Sequence, residues 1–162
     1  MTKTLDLGCG LNPKNPFNAE EIFGIDFIEN HSKNIFRADL AIEPIPFDDG
    51  IFDYVSAFDF LEHIPRVAYV PYRRNCFVEV MNDIYRVLKP DGIFLSFTPA
   101  YPHNEVFQDP THCNVITEKT FPLYFDWQTR GASIYGFKGS FIIAQQEWRG
   151  PHLLTVMKKV II

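Results

Sequence analysis

The sequence predicts an α/β fold built on a mostly parallel, doubly wound sheet of seven strands, the last two of which form an antiparallel hairpin. Two observations support this prediction. Short apolar segments recur between residues 4 and 98, and several of them end in a glycine turn or an acidic residue. Residues 141–148 and 153–162 are two further predicted strands, and glycine and proline in their connection favour a hairpin. Open α/β sheets of this kind bind ligands where their parallel strands end.

The first strand leads directly into a glycine turn. Leu5 and Leu7 are its apolar anchors, and Gly8-Cys9-Gly10 follows at once. Glycine has no Cβ, so the backbone can turn tightly there and a ligand can approach it closely. A tight turn without any ligand fits the same residues equally well, and both interpretations are open at this point.

The residues around the turn distinguish two kinds of cofactor. A dinucleotide fingerprint has a third glycine three residues after the second, and this chain has Pro13 at that position. We therefore expect no NAD-type pyrophosphate site. Asp6 lies two residues before the first glycine, and a carboxylate there suits a ligand that carries an ammonium group rather than phosphates.

Two further segments end in acidic residues. Residues 22–26 form a predicted buried strand that ends in Asp26, where doubly wound folds place an acid that binds ribose hydroxyls. The start of a polar loop is the less favoured alternative for this acid. Residues 34–40 form a third predicted strand, and its Asp39, taken alone, fits a cap or a loop acid.

The central segment predicts a strand, a turn and a helix. Residues 52–58 are apolar on both faces, as central parallel strands are. In residues 59–65, we interpret Glu62 and His63 as side chains that cap and pin the following turn, with direct catalysis as the alternative. Apolar residues at helical spacing predict a packing helix over residues 75–88, followed by a turn and a fifth strand.

Four motifs in this order resemble those of class I S-adenosylmethionine-dependent methyltransferases, and in particular the small methyltransferase-11-like domain. They are LDLGCG at 5–10, ADL at 38–40, LEHI at 61–64 and LKPDGIF at 88–94. The resemblance implies a Rossmann-like fold that binds S-adenosylmethionine, with Asp39 at the adenine amino group and the next backbone amide near the ring. The cofactor-binding residues predicted in this way are Asp6, Gly8, Cys9, Gly10, Asp26, Phe27, Asp39, Leu40, Phe58 and Asp59.

Residues 99–117 form a predicted loop where a doubly wound fold completes a substrate pocket. Three interpretations stay open: a rigid structural loop with Asp109 capping a turn, a loop that binds substrate or carries a base, and a metal site. For the second, we predict His112 as the catalytic residue, because imidazole accepts a proton near neutral pH, and His103 as the competing candidate. The spacing of His103, His112 and Cys113 matches no closed zinc pattern, so the metal site is the least favoured of the three interpretations and no metal ligand is assigned.

The C-terminal part predicts a helix and a cluster of aromatic residues. The helix covers residues 117–127, with Thr117 as its N-cap and Pro122 limiting its regularity. In the methyltransferase family an N-terminal helix often covers the cofactor, whereas no helix precedes the first strand here. We therefore expect an open pocket, or one completed by the aromatic C-terminal half or by another subunit, such as a second copy of the chain.

Composition narrows the class of protein. A length of 162 residues predicts a single domain over 1–162, and the net charge of −5 disfavours a nucleic acid held by phosphate contacts. Residues 1–60 hold 11 acidic and 4 basic residues, which suits a cationic cofactor. No segment has the length of a membrane span and no signal segment is recognisable, so no membrane partner is expected. Three cysteines without a CxxC pair predict reduced thiols in the cytoplasm.

The resemblance to the methyltransferase family implies methyl transfer from S-adenosylmethionine, and we expect an oxygen or nitrogen atom of a small molecule as the acceptor. Because the sulfonium already activates the methyl group, the protein mainly has to hold donor and acceptor in line. A base is needed only when the acceptor must lose a proton early. A non-catalytic protein of the same fold, serving as a scaffold or partner subunit, is the alternative.

Overall fold

The computed structural model describes residues 1–161 and contains one seven-stranded sheet and one two-stranded hairpin. The strands are β1 (Lys3–Leu7), β2 (Glu21–Asp26), β3 (Ile35–Arg37), β4 (Phe52–Phe58), β5 (Ala68–Tyr69), β6 (Arg73–Arg74), β7 (Leu88–Pro99), β8 (Phe141–Arg149) and β9 (His152–Lys159). The large sheet has the order β3-β2-β1-β4-β7-β9-β8, and β5 pairs with β6 alone. The three α-helices are α1 (Cys76–Val87), α2 (Glu105–Gln108) and α3 (Thr120–Tyr124).

Strand directions confirm the predicted fold class. β1 pairs in parallel with β2 and β4, and β3 and β7 extend this parallel set. β9 is antiparallel to both β7 and β8, so the predicted C-terminal hairpin is present. The carboxyl ends of the first five strands of the sheet therefore lie at one edge, and the amino end of β9 lies at the same edge.

The predicted central helix is present as α1, which forms the core with one face of the sheet. Its apolar residues recur at intervals of three and four, so they share one face. The buried ones are Cys76, Phe77, Val80, Met81, Ile84 and Val87. They join one cluster with fully buried Leu5, Val55 and Phe94 of the sheet. The helix ends because Leu88 adopts an extended conformation, and Pro90 cannot continue it.

Irregular chain makes the connections between the first four strands. Within residues 1–161, no α-helix lies between β1 and β4; a single 3-10 turn at His31–Lys33 separates β2 from β3. In the β1–β2 connection, Phe17 stacks on Tyr54 with ring centroids 4.5 Å apart. Strand alternation places Tyr54 on the face opposite Val55, so this connection covers the side of the sheet that α1 leaves free.

Two predicted elements differ in their bounds. The third strand was expected over 34–40 and ends at Arg37, because the chain turns after the Ala38 amide has bonded the Asp26 carbonyl. The predicted turn before the fifth strand lies inside β7, where the register to β4 is interrupted and Asp91 has a φ of +62°.

The C-terminal region also differs from the prediction. The helix expected from Thr117 begins at Thr120 and ends at Tyr124, since Thr117 forms a tight turn with Lys119 and Thr120 before it. The last predicted strand reached residue 162, which lies outside the described residues; β9 ends at Lys159. No helix within residues 1–161 has the length and apolar character that a membrane crossing requires.

Candidate active site

The glycine turn follows β1 directly and leaves open space beside its second glycine. Gly8 and Gly10 have φ angles of +66° and +58°, in the left-handed region that favours glycine. A Cβ on Gly8 would lie 2.6 Å from the Phe60 ring, whereas a Cβ on Gly10 would meet no atom within 4 Å. Gly8 is therefore required by packing, and a ligand can approach the backbone at Gly10.

Cys9 contributes its backbone to this turn rather than a reactive thiolate. Its amide donates to the Ile25 carbonyl at 3.1 Å, which ties the turn to β2. Burial, with smaller effects from the charges of Asp6 and Asp26, raises the pKa of the Cys9 thiol to about 12. The thiol is therefore protonated at neutral pH and behaves as a small packing group.

Asp6 fixes the glycine turn from within the protein. It is 1% exposed, and its two carboxylate oxygens accept hydrogen bonds from the Ser56 hydroxyl at 2.7 Å and the Lys14 amide at 2.8 Å. Burial raises the pKa of this carboxyl despite both bonds. The structure thus gives Asp6 a part in holding β1, β4 and the following loop together. Its contact with a ligand ammonium group stays a prediction.

Asp26 closes the glycine turn from the end of β2. Its Oδ2 accepts from the Gly10 amide at 2.8 Å and its Oδ1 from the Phe27 amide at 2.7 Å. Each carboxylate oxygen can accept a second hydrogen bond, so both remain competent to bind hydroxyl groups. Asp26 and the turn form one arrangement at the carboxyl edge, as the sequence predicts.

Asp39 caps the turn that follows β3, which is the role that fits this residue when it is considered without the family resemblance. Its Oδ1 accepts from the Ala41 amide at 3.1 Å, and its own amide donates to Glu43 at 2.6 Å. The adjacent Leu40 side chain is buried in the core. These bonds fix the turn after β3, and the adenine contact of Asp39 and Leu40 stays a prediction.

At the end of β4, Asp59 has a partner that the sequence analysis missed. Its Oδ1 lies 2.6 Å from His152 Nε2, and the His152 ring stacks on Phe97 with centroids 4.5 Å apart. Phe58, beside it, lies under the Lys14 ammonium, which is 4.6 Å from the ring centroid. His152 begins β9. β9 is antiparallel to β7, so it starts at the edge of the sheet where β7 ends. The predicted hairpin could therefore have identified His152 as a residue at that edge.

A second group of side chains comes together next to Asp59. Glu62 and His63 lie in the 3-10 turn after β4, and His112 comes from the loop after β7. One potential ligand atom from each of the three residues lies within 4.8 Å of the others. The two imidazole rings meet edge to face, with centroids 4.8 Å apart. We call Glu62, His63 and His112 the Glu–His–His cluster.

Both imidazoles of the cluster are held through Nδ1. His112 Nδ1 lies 3.0 Å from the Val106 carbonyl oxygen, which can only accept, so this nitrogen carries the proton. The Thr111 hydroxyl donates to Asp109 at 2.6 Å and therefore accepts from His63 Nδ1, 2.9 Å away. The hydrogen bonds from Thr111 also lower the pKa of the Asp109 carboxyl. The neutral rings consequently keep a free lone pair on Nε2.

Glu62 connects the cluster to β7 through its side chain and to the loop of His112 through its backbone. Its side chain is fully buried, and Oε2 accepts from the Thr98 hydroxyl at 2.8 Å. Oε1 has no hydrogen-bond partner within residues 1–161. Its backbone carbonyl accepts from the amides of Cys113 and Asn114 at 2.8 and 3.0 Å, which brings the loop of His112 to the end of β4. Burial raises the pKa of the Glu62 carboxyl.

His103 occupies a different place from His112. Its ring packs against Trp148 with centroids 5.1 Å apart. It lines a cavity of about 550 Å³ together with Tyr101, Pro102, Thr117, Glu118, Lys119 and Trp148. The structure therefore separates the two predicted catalytic histidines, and it brings His63 rather than His103 to His112.

Comparison with known proteins identifies one family and several relatives. A family model described as a methyltransferase domain matches residues 5–96, which is more than half of the chain. The demethylmenaquinone methyltransferase of Listeria monocytogenes serotype 4a is 31% identical over an alignment of 121 residues, and the match covers 63% of this chain and 46% of the relative. The chain thus spans about half the length of the curated relatives it matches.

Solved structures share the fold at low sequence identity. One match is a chain of the Haloferax volcanii complex between the Trm112 methyltransferase activator and a methyltransferase. Its TM-score is 0.67 at 15% identity, and the match covers 99% of this chain and 83% of that chain. An S-adenosylmethionine-dependent methyltransferase from Mesorhizobium loti matches with a TM-score of 0.59 and 15% identity, covering 96% and 90%.

Proposed function

The chain belongs to the methyltransferase-domain family, and we propose that it transfers a methyl group from S-adenosylmethionine to a small molecule. One observation carries the proposal: the glycine turn after β1 is closed by Asp26, and the space beside Gly10 is open. This arrangement fits a nucleoside, because exposed backbone and a carboxylate with spare lone pairs lie side by side at the carboxyl edge.

The donor would be held by residues from the ends of four strands. Asp26 would accept the ribose hydroxyls, and Asp39 with the Leu40 amide would contact the adenine. The turn at residues 8–10 and Asp59 would lie along the methionine part. S-Adenosylmethionine supplies a methyl group that its sulfonium already activates, so these residues contribute orientation above all.

On the acceptor side, we assign His112 as the base. Its Nδ1 is fixed by the Val106 carbonyl, so Nε2 can take a proton from an acceptor hydroxyl or amine. His103, in its separate cavity beside Trp148, is the competing candidate. His112 is favoured because it is packed against residues that follow β4, where Asp59 is a proposed donor contact.

The acceptor is a small molecule in this proposal. The formal net charge of −5 disfavours a nucleic acid, and the Listeria relative's name points to a quinone-type acceptor.

We further propose that residues 1–162 fold as one cytoplasmic domain, consistent with the free thiols of Cys9, Cys76 and Cys113. A second subunit would complete an otherwise open pocket.

Calorimetry with three ligands tests the cofactor assignment. S-Adenosylmethionine and S-adenosylhomocysteine should each bind with one site per chain, and NAD should not bind, because Pro13 replaces the third fingerprint glycine. Binding of NAD alone would overturn the assignment. Transfer of labelled methyl groups to a panel of phenols, quinols and amines then separates an enzyme from a scaffold: cofactor binding without any transfer favours the scaffold.

A further inference from the structure

We propose that the Glu–His–His cluster binds one divalent transition-metal ion of the Zn²⁺ type. The proposal concerns residues that the donor site does not use. With an ion bound, the Nε2 lone pair of His112 would be occupied, so His112 could serve as the proposed base only in the metal-free protein. It also revises the expectation that the loop after β7 holds no metal. That expectation considered ligands within one loop, whereas the structure combines His112 with two residues from the end of β4.

The donor set has the composition of a transition-metal site. Two imidazoles and one carboxylate suit Zn²⁺ and its first-row neighbours, whereas Mg²⁺ and Ca²⁺ prefer oxygen ligands alone. Zn–N and Zn–O bonds of about 2.1 Å require ligand atoms about 3.4 Å apart in a tetrahedral site. The three candidate atoms lie within 4.8 Å of one another, so modest side-chain rotations close the site.

The two imidazoles already have the orientation that metal ligands need. Ligating histidines usually donate their other ring N–H to a carbonyl or to a group backed by a carboxylate. His112 donates Nδ1–H to the Val106 carbonyl, and His63 donates to Thr111, which is itself bonded to Asp109. Each ring therefore presents an Nε2 lone pair in its neutral form.

Glu62 provides the second, independent observation. A carboxylate that is 0% exposed and has one unpartnered oxygen is costly to bury. Thr98 satisfies only Oε2. A bound cation would compensate the charge and give Oε1 a partner.

Three protein ligands would leave a tetrahedral ion one further position, which water or an acceptor oxygen can occupy. Cys113 does not supply the fourth ligand in this proposal. Its Sγ is directed to the His63 carbonyl oxygen at 3.4 Å. An open position is typical of catalytic rather than structural zinc sites.

Zinc titration of chelator-dialysed protein tests the proposal, read by calorimetry and by competition with a chromogenic chelator. We expect one Zn²⁺ per chain and weaker binding as the pH falls, because the imidazoles must be neutral. His63→Ala and His112→Ala should each lower the affinity by at least about 100-fold. His31→Ala removes an exposed imidazole elsewhere and should change nothing.

The remaining variants separate ligand loss from misfolding. Glu62→Gln keeps an acceptor for Thr98 and should weaken Zn²⁺ binding while circular dichroism stays that of the wild type. Anomalous diffraction at the zinc edge should place one peak between the three side chains. Absence of a one-to-one site, binding that survives both histidine variants, or binding that is lost in Cys113→Ser alone would overturn the proposal. Calorimetry with S-adenosylhomocysteine on the same zinc-free protein reports the proposed function separately.

Discussion

The Asp26 carboxylate closes the glycine turn, and in the proposed function it also accepts the ribose hydroxyls. Both of its oxygens accept a backbone amide at 2.7–2.8 Å, and both retain capacity for another bond. Both oxygens of Asp6 are likewise bonded to protein groups, but this side chain is only 1% exposed. At the residue scale, Asp26 is thus the more accessible of the two carboxylates, and the contact of Asp6 with a ligand ammonium group stays a prediction.

Asp26→Ala should weaken S-adenosylhomocysteine binding by about 1–3 kcal/mol, because the ribose hydroxyls would lose their acceptor. Asp39→Asn should cost less, because an amide oxygen can still cap the Ala41 amide. Calorimetry on both variants checks the order. Equal affinity for wild type and both variants would place the nucleoside elsewhere.

The two glycines of the turn form a matched pair. Both have positive φ angles, so alanine is strained by about 1–2 kcal/mol at either position. At Gly8 the new Cβ also meets the Phe60 ring at 2.6 Å, and at Gly10 it meets nothing within 4 Å. Gly8→Ala should therefore lower the free energy of unfolding clearly more than Gly10→Ala in urea denaturation. Equal losses would show that Phe60 moves aside freely.

Glu62 should impose a pH dependence on stability in zinc-free protein. Burial raises its folded-state pKa above the ordinary value of 4.5, so the folded state binds the proton more tightly than the unfolded state. The stabilisation is complete below pH 4.5 and is lost as the pH rises through the raised pKa. Relative to Glu62→Gln, the wild type should lose unfolding free energy over that window.

Urea denaturation across the acidic to neutral range measures this difference. Glu118→Gln changes an exposed carboxylate and should follow the wild type at every pH. A constant difference between wild type and Glu62→Gln would mean that the buried carboxyl does not titrate differently in the two states.

At the scale of elements, α1 alone holds parts of the fold that several helices hold in other doubly wound sheets. Its Arg86 donates to the carbonyls of Phe47 and Ile45 at 2.7 and 2.8 Å and pairs with Asp49 and Asp83. These bonds hold the β3–β4 connection, which has no helix of its own. One charged side chain therefore fixes a segment that local propensity leaves irregular.

Arg86→Ala should lower the free energy of unfolding by about 2–4 kcal/mol, because it leaves several partly buried acceptors without a donor. Arg86→Lys should recover part of this loss, since an ammonium cannot reach all four partners in the same geometry. Arg149→Ala, which breaks an exposed pair with Glu147, is the control and should change stability by less than about 1 kcal/mol. Urea denaturation measures all three, and a loss for Arg86→Ala no larger than the control would contradict the account.

The sequence predicts strands and helices well where the hydrophobic pattern and the residues at the ends of the element indicate the same structure. The strand over 52–58 is apolar on both faces, the helix predicted over 75–88 and observed over 76–87 has helical periodicity, and the acids at strand ends mark the edge of the sheet. The third strand was predicted too long because Ala38 makes one ladder bond before the chain turns. The helix from Thr117 was predicted too long because short side-chain bonds to Thr120 compete with helical ones.

At the scale of the whole molecule, parallel strands assemble the proposed donor site, and a loop contact assembles the cluster. The location of the proposed donor residues at one edge was predictable, since parallel strands bring their carboxyl ends together; their contacts with the cofactor stay predictions. The approach of His112 to Glu62 was not, because it depends on two backbone bonds across about fifty residues. The interpretation of Glu62 and His63 as turn-capping residues accounts for their position in the turn. It does not account for the orientation of their side chains towards His112. The single-domain boundary and the open pocket stay predictions.

A crystal structure of the protein with S-adenosylhomocysteine tests the central claim most directly. We predict the ribose hydroxyls within hydrogen-bond distance of Asp26, the backbone of Gly8 and Gly10 along the ligand, and the sulfur facing the Glu–His–His cluster. A ligand bound away from the glycine turn, or a sulfur atom that faces away from Glu62, His63 and His112, would contradict the account.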